Sequence, residues 1–172
     1  SLLMPLVKKT AIGLGIALLA MAYLIFGATE GKRYFQVKET TIESKDVPQG
    51  FDGYRIVQLS DMHVGSWNGN TQAMEKAVSI INDLQPDLIV FTGDLVNNLA
   101  SELDNFIPVF SKLKAKDGVY SVLGNHDYST YVHWENPEDQ KEELVRLKQK
   151  QAEMGWTMLN NRHIKLYHQN DS

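Results

Sequence analysis

From Thr10 to Thr29 the chain runs TAIGLGIALLAMAYLIFGAT without a single charge. At about 1.5 Å per residue this stretch spans roughly 30 Å, the thickness of a bilayer core. Lys8 and Lys9 precede it; Lys32 and Arg33 follow, with Tyr23, Tyr34 and Phe35 near the far end. Basic and aromatic side chains gather in this way at membrane interfaces. The pattern predicts a transmembrane helix over residues 10–29, with residues 1–9 as a membrane-flanking segment. A buried core helix and a cleaved leader are the alternatives, although Gly27-Ala28-Thr29 is a poor cleavage site. Lysines 8 and 9 on one side face Lys32, Arg33 and Lys38 on the other, so charge leaves the orientation open. Gly13 and Ala17, four apart, are a weak signal for close approach by another helix.

Residues 30–50 read as a linker and a first strand, and residues 51–172 as the main domain. Tyr34 to Glu43 alternates apolar and polar residues, the pattern of a strand with one wet face. Ser44 to Gly53 carries Asp, Pro and two Gly, which marks a turn. Strand and helix then alternate. Tyr54 to Ser60 is β-rich, and Thr71 to Leu84 places Met74, Ala77, Val78, Ile81 and Leu84 on one helical face after a cap at Asn70 or Thr71. Asp87 to Thr92 is apolar at its centre, as in a strand buried on both faces. Glu102 to Leu113 reads as a weaker helix, and Gly118 to Leu123 as a third strand. Pro137 to Met154 is a charged amphipathic helix with Leu144, Leu147, Gln151 and Met154 in register and Gly155 at its end. Trp156 to Leu159 and His163 to Tyr167 read as a hairpin across Asn160-Asn161. The alternation predicts an α/β class built on crossover connections.

Composition changes this picture little. Apolar residues make up 43% and charged residues 22%, enough for a folded core. A net charge of -4 gives no strong nucleic-acid signal. Without cysteine, thiolate sites are excluded, and any metal must use His, Asp, Glu, Asn or backbone oxygen. A start at Ser1 and an end at Asn170-Asp171-Ser172 read as a segment of a longer protein.

The chemistry lies where the strands end. The first strand runs into Ser60-Asp61-Met62-His63, the second into Thr92-Gly93-Asp94, and the third into Gly124-Asn125-His126-Asp127. Carboxyl ends of strands in α/β sheets are where ligands bind, because the loops diverge there. Asp61, His63, Asp94, Asn125 and His126 are hard or borderline donors that suit manganese, iron, zinc or magnesium. In a continuing strand Asp61 and His63 would point to opposite faces, so the chain must turn after Asp61; Gly65 and Ser66 supply that break. Gly93 allows close backbone approach, and one carboxylate such as Asp94 can serve two ions. Any one motif alone is commonly a turn or a cap; three in a repeating strand–helix order predict a metal site. Trp67, Trp134, Tyr128, Tyr131 and His133 flank these loops, with packing as the expectation and a pocket for an acyl chain or base as the alternative. The Lys and Glu run from Glu138 to Lys150 reads as a solvated helix face.

Asp61-Met62-His63, Gly93-Asp94 and Gly124-Asn125-His126-Asp127 together resemble the signature of the calcineurin-like metallophosphoesterase superfamily. The wider text, YRIVQLSDMHVGS, PDLIVFTGDLVN and GVYSVLGNHD, is similar to its membrane-associated bacterial branch of predicted phosphohydrolases. The resemblance runs from about Phe51 to Asp127. It implies part of a four-layer αββα sandwich, here preceded by one transmembrane helix, and two divalent metal ions. By position, Asp61 and His63 would hold the first ion, Asp94 would bridge, Asn125 would hold the second, and His126 would be the catalytic acid or a positive charge near the leaving oxygen. Two departures follow. Members with a G-D-x-x-D element use its second Asp to orient the histidine; here Asn97 stands there, and Asp127 is the other candidate for that task. The later His and the G-H-x-H element are absent, since only His133, His163 and His168 follow Asp127. About half of the ligand set is therefore expected in this segment, with weak metal binding by it alone.

The leading expectation is a membrane-tethered enzyme, truncated here, that hydrolyses phosphoric mono- or diesters with a two-metal-activated water. A non-catalytic, membrane-anchored binding or structural α/β module is the alternative. Tethering favours lipid-linked substrates such as a phospholipid or a sugar-nucleotide lipid; nucleotides, phosphoproteins and nucleic acids stay open. The expected location is a bacterial inner membrane, with no assignment of side or oligomeric state.

Overall fold

A computed structural model describes residues 3–29 and 34–168. Lys32 and Arg33, expected to flank the membrane helix, and Asn170-Asp171-Ser172 lie outside the described residues. The chain divides into two compact units, Ser1–Thr41 and Ile42–Ser172.

The first unit holds one helix, α1, over Leu3–Thr29. It begins earlier than the uncharged run because Lys8 and Lys9 are good helix formers and Pro5 falls in the first turn, where its missing N–H costs nothing. Thr10–Gly27 is long and apolar enough to cross a membrane, and none of it is buried. A core helix would bury its leucines; here Leu18 and Leu19 stand exposed. Tyr34 to Glu43 is not a strand, contrary to its alternation. Its residues are exposed apart from the half-buried Phe35, and a strand exists only where a neighbour completes its ladder.

In the second unit four parallel strands stand in the order β1-β2-β3-β4: Ile56–Leu59, Leu88–Phe91, Val119–Ser121 and Thr157–Met158. The α/β class expected from the sequence is the class observed. The first crossover contains α2, Gln72–Asp83, which buries Ala73, Met74, Ala77, Val78 and Ile81 at helical spacing. The Asn70 side chain accepts the N–H of Gln72 at 3.1 Å and opens it. The expected helix over Glu102 to Leu113 is broken into a 3-10 turn, Ala100–Leu103, and one short helix, α3, Ile107–Phe110. Pro108 is the reason: a continuous helix needs its N–H, and the chain restarts with Pro108 in the first turn.

Helix α4, Pro137–Glu153, starts where the Asn136 side chain takes the Glu138 N–H at 3.1 Å. It buries Leu147 and Gln151, with Met154 just beyond, and ends at Gly155 with φ 79°. After this crossover the chain does not form the expected hairpin. Thr157 and Met158 add to β3 in parallel, and the Leu159 N–H reaches the Ser121 carbonyl at 2.8 Å. The open edge of β3 offers a full set of partners, which a two-stranded ribbon in solvent does not. Trp156 fixes the join, with ring centroids 5.3 Å from Phe91 and 5.8 Å from Phe110. Strand β2 is central and buried, whereas β1 is an edge with Ile56 and Gln58 exposed.

Candidate metal centre

The paired residues Leu59, Phe91 and Ser121 bring the ends of β1, β2 and β3 to one edge of the sheet. Beyond it the loops are stitched by backbone bonds: Asp61 N–H to the Gly93 carbonyl at 3.0 Å, His63 to Asp94 at 3.1 Å, and Val64 to Leu95 at 3.0 Å. Asp61 and His63 both adopt left-handed backbone, φ 55° and 41°, as does Asp94 at 59°. The turn that lets Asp61 and His63 share a face thus begins at Asp61 itself, ahead of Gly65 and Ser66, which form part of the following 3-10 turn Val64–Trp67. Asp and His tolerate this region better than most residues, yet three such positions in one cluster mark stored strain.

Gly93, at φ 107°, lies against Gly124: a Cβ on Gly93 would fall on the Gly124 backbone, and one on Gly124 would fall on the Asp94 backbone. Only glycine at both places lets the second and third loops lie this close. Asp127 locks them. Its Oδ2 accepts N–H groups from Asp94 and Gly124, each at 2.9 Å, and its Oδ1 accepts those of Leu95 at 2.9 Å and Val96 at 3.3 Å. The side chain is fully buried. Burial pushes its carboxyl up, against the pull of the four N–H donors. Both oxygens act only as acceptors, the pattern of an ionised carboxylate.

The oxygens of Asp127 are thus taken up by backbone N–H groups, while the backbone carbonyl of Asn97 meets His126 Nδ1 at 2.7 Å. A carbonyl can only accept, so Nδ1 carries the hydrogen of this contact. The Asn97 side chain is engaged elsewhere, donating to Ser66 Oγ at 2.9 Å and accepting the Ser66 N–H at 3.1 Å. Glu102, which sequence reasoning placed only in a helix, holds this loop by accepting the N–H groups of Asn97, Asn98 and Leu99 at 2.6, 3.0 and 3.1 Å. An acid in the first turn after a loop was the only signal for it.

One ligand atom each from His63, Asp94 and His126 lies within 4.8 Å of the others. Their half-buried side chains come from three different loops. Asp61 stands beside them, its Oδ1 3.8 Å from His63 Nε2, with Oδ2 taking the Ser60 hydroxyl. The His126 N–H donates to Asp94 Oδ1 at 2.9 Å. Asn125 turns its amide nitrogen to the Tyr131 hydroxyl, 2.9 Å away. Trp67 donates to the Met62 carbonyl and Trp134 to the Ser129 carbonyl, so both tryptophans brace loops.

The profile of the calcineurin-like phosphoesterase family matches residues 54–170. The chain belongs to the calcineurin-like phosphoesterase family. It is 39% identical over 98 residues to an uncharacterized metallophosphoesterase, YkuE, of Bacillus subtilis, covering 56% of this chain and 34% of that protein. To a transmembrane protein with metallophosphoesterase domain of Danio rerio it is 33% identical over 116 residues, covering 67% of this chain and 26% of that one. To the UDP-2,3-diacylglucosamine pyrophosphatase LpxG of Chlamydia muridarum it is 42% identical over 82 residues, covering 46% of this chain and 24% of that one. The matched stretch thus spans about a third or less of these relatives. No solved structure matches the chain.

Metallophosphoesterases use divalent metals, and the residues at the edge of this sheet fit such a cation. Asp94 and His63, with Asp61 beside them, offer carboxylate and imidazole donors that suit a borderline ion. In addition, His63 Nδ1 is buried with no hydrogen-bond partner among the described residues, an arrangement that is costly unless something else satisfies it.

Proposed function

We propose that this chain carries the front part of a membrane-tethered phosphoesterase centre that hydrolyses a phosphoric mono- or diester with water. The observation that supports this most is the convergence of His63, Asp94 and His126 from three loops at the carboxyl edge of one parallel sheet. In this reading Asp61 and His63 hold one divalent cation, Asp94 bridges, and Asn125 takes part in holding a second; manganese, iron, zinc and magnesium all suit the donors. When bound, such a pair supplies Lewis acidity to the phosphoryl group and lowers the pKa of the attacking water.

The chain's own residues supply the rest. The Asn97 carbonyl at Nδ1 directs His126 Nε2 outward, where it can hold a proton for the leaving oxygen. The Asp127 clamp fixes the distance between the Gly93-Asp94 and Gly124-Asn125-His126 loops, so donors meet the substrate without reorganising. Helix α1 is the proposed anchor, in a bacterial inner membrane. A lipid-linked phosphoester is the proposed substrate class: a relative is named a UDP-2,3-diacylglucosamine pyrophosphatase, and an anchor concentrates substrates held in the same membrane.

The test is hydrolysis of a model phosphodiester and a model phosphomonoester by the full-length protein with manganese, beside Asp94→Ala. Loss of even an outer-shell partner costs about 10–100-fold, so the variant should lose more than about 100-fold on the preferred ester. Equal activity in the variant would defeat the bridging role, and no hydrolysis of either ester would leave a binding module as the better description.

A further inference from the structure

We propose that Tyr131 is a positioning residue for this centre, whose hydroxyl holds the Asn125 amide by its nitrogen with the oxygen left for a cation, and whose ring fixes His126. The inference rests on the two-cation reading above. Asn125 is exposed, and its amide can present either nitrogen or oxygen by a half-turn about its last torsion. Only the oxygen can ligate a cation. The amide nitrogen donates to the Tyr131 hydroxyl at 2.9 Å, while the amide oxygen enters no hydrogen bond among the described residues. With the phenol oxygen accepting from the amide nitrogen, the amide oxygen is the end left for a cation.

The same ring stacks on His126, centroid to centroid 4.5 Å and interplanar angle 28°. His63 meets that imidazole at 4.7 Å and 86°, and the Asn97 carbonyl takes its Nδ1. His126 is thereby held by three neighbours, with Tyr131 alone also holding Asn125. Core packing does not explain Tyr131, which is 62% exposed. Its loop, however, is anchored. Ser129 is buried with φ 55°, its carbonyl takes the Trp134 indole N–H at 2.9 Å, and the Tyr128 carbonyl takes Gln140 Nε2 at 2.9 Å.

The experiment titrates Mn2+ into the metal-stripped full-length protein by calorimetry, comparing wild type, Tyr131→Phe, Tyr131→Leu and Asp94→Ala. Thermal unfolding of each apo-protein runs alongside. Tyr131→Phe keeps the ring and loses the hydroxyl; it should unfold with the wild type and bind one Mn2+ normally. The second Mn2+ should bind about 10-fold or more weakly, the range of an outer-shell partner. Tyr131→Leu should weaken it at least as much. Wild-type affinity at both sites in Tyr131→Phe overturns the inference, as does equal weakening of both sites. Fewer than two ions on the wild type, or two unaltered ions on Asp94→Ala, defeats the two-cation reading itself and this inference with it.

Discussion

Asp127 is fully buried at the join of the second and third loops. Four backbone N–H groups from two loops converge on its carboxylate. In Asp127→Asn one oxygen becomes an NH2 group facing donors, and buried N–H groups lose their acceptor. Denaturant unfolding should show a loss of about 2–3 kcal/mol, with manganese affinity falling in parallel. Gly93→Ala acts on the same join by another route: the new methyl meets the Gly124 backbone in a conformation that alanine avoids, and about 1–3 kcal/mol should be lost even without metal. The candidate ligands themselves were legible because they follow apolar strands that end abruptly. The long-range partners of Asp127 and Asn97 were not, because the N–H groups of Asp94, Leu95, Val96 and Ser66 lie about thirty positions away in sequence and are brought in by the fold. Nothing in a linear pattern shows which way a carbonyl such as that of Asn97 points.

At the level of elements, the strands and long helices were readable wherever burial enforced a period, as in α2 and α4. Apart from the helix broken at Pro108, the differences fell where an element depends on a partner. Tyr34 to Glu43 alternates but finds no edge, and Trp156 to Met158 takes the edge of β3 instead of pairing with His163 to Tyr167. Trp156 is the residue that makes this choice rigid. Trp156→Ala should cost about 3–5 kcal/mol by calorimetric unfolding. Trp156→Phe should cost much less, since the indole N–H is buried without a partner among the described residues and its removal relieves that burden. At the opposite end of the strands, Asp87 joins β1 and β2 by taking the Arg55 N–H at 2.7 Å, with the Lys116 ammonium at 2.5 Å. Burial pushes the Asp87 carboxyl up, but the Lys116 and Arg55 contacts outweigh it and hold it below the usual range. A depressed carboxyl stabilises fully above its unfolded pKa and loses that stabilisation as pH falls through the folded one. The Asp87 contribution should therefore be lost below roughly pH 4, and Asp87→Asn should flatten the fall of unfolding midpoints there while lowering stability at neutral pH.

For the whole molecule, membrane attachment and the metal centre are separable claims. If α1 anchors the chain, the full-length protein should stay with membranes through alkaline carbonate washing, and removal of residues 1–33 should release it with manganese binding intact. Extraction of the full-length protein by carbonate would refute the anchor and leave the centre untouched. The centre is the larger claim, because the family relationship and the geometry meet there. It is tested most directly by metal content per chain after equilibrium dialysis against manganese, for the full-length protein and for His63→Ala, Asp94→Ala and Asn125→Ala, one from each loop. Two ions on the wild type and a loss in every variant are predicted. A wild type that retains no ion, or variants that all retain both, would contradict the account.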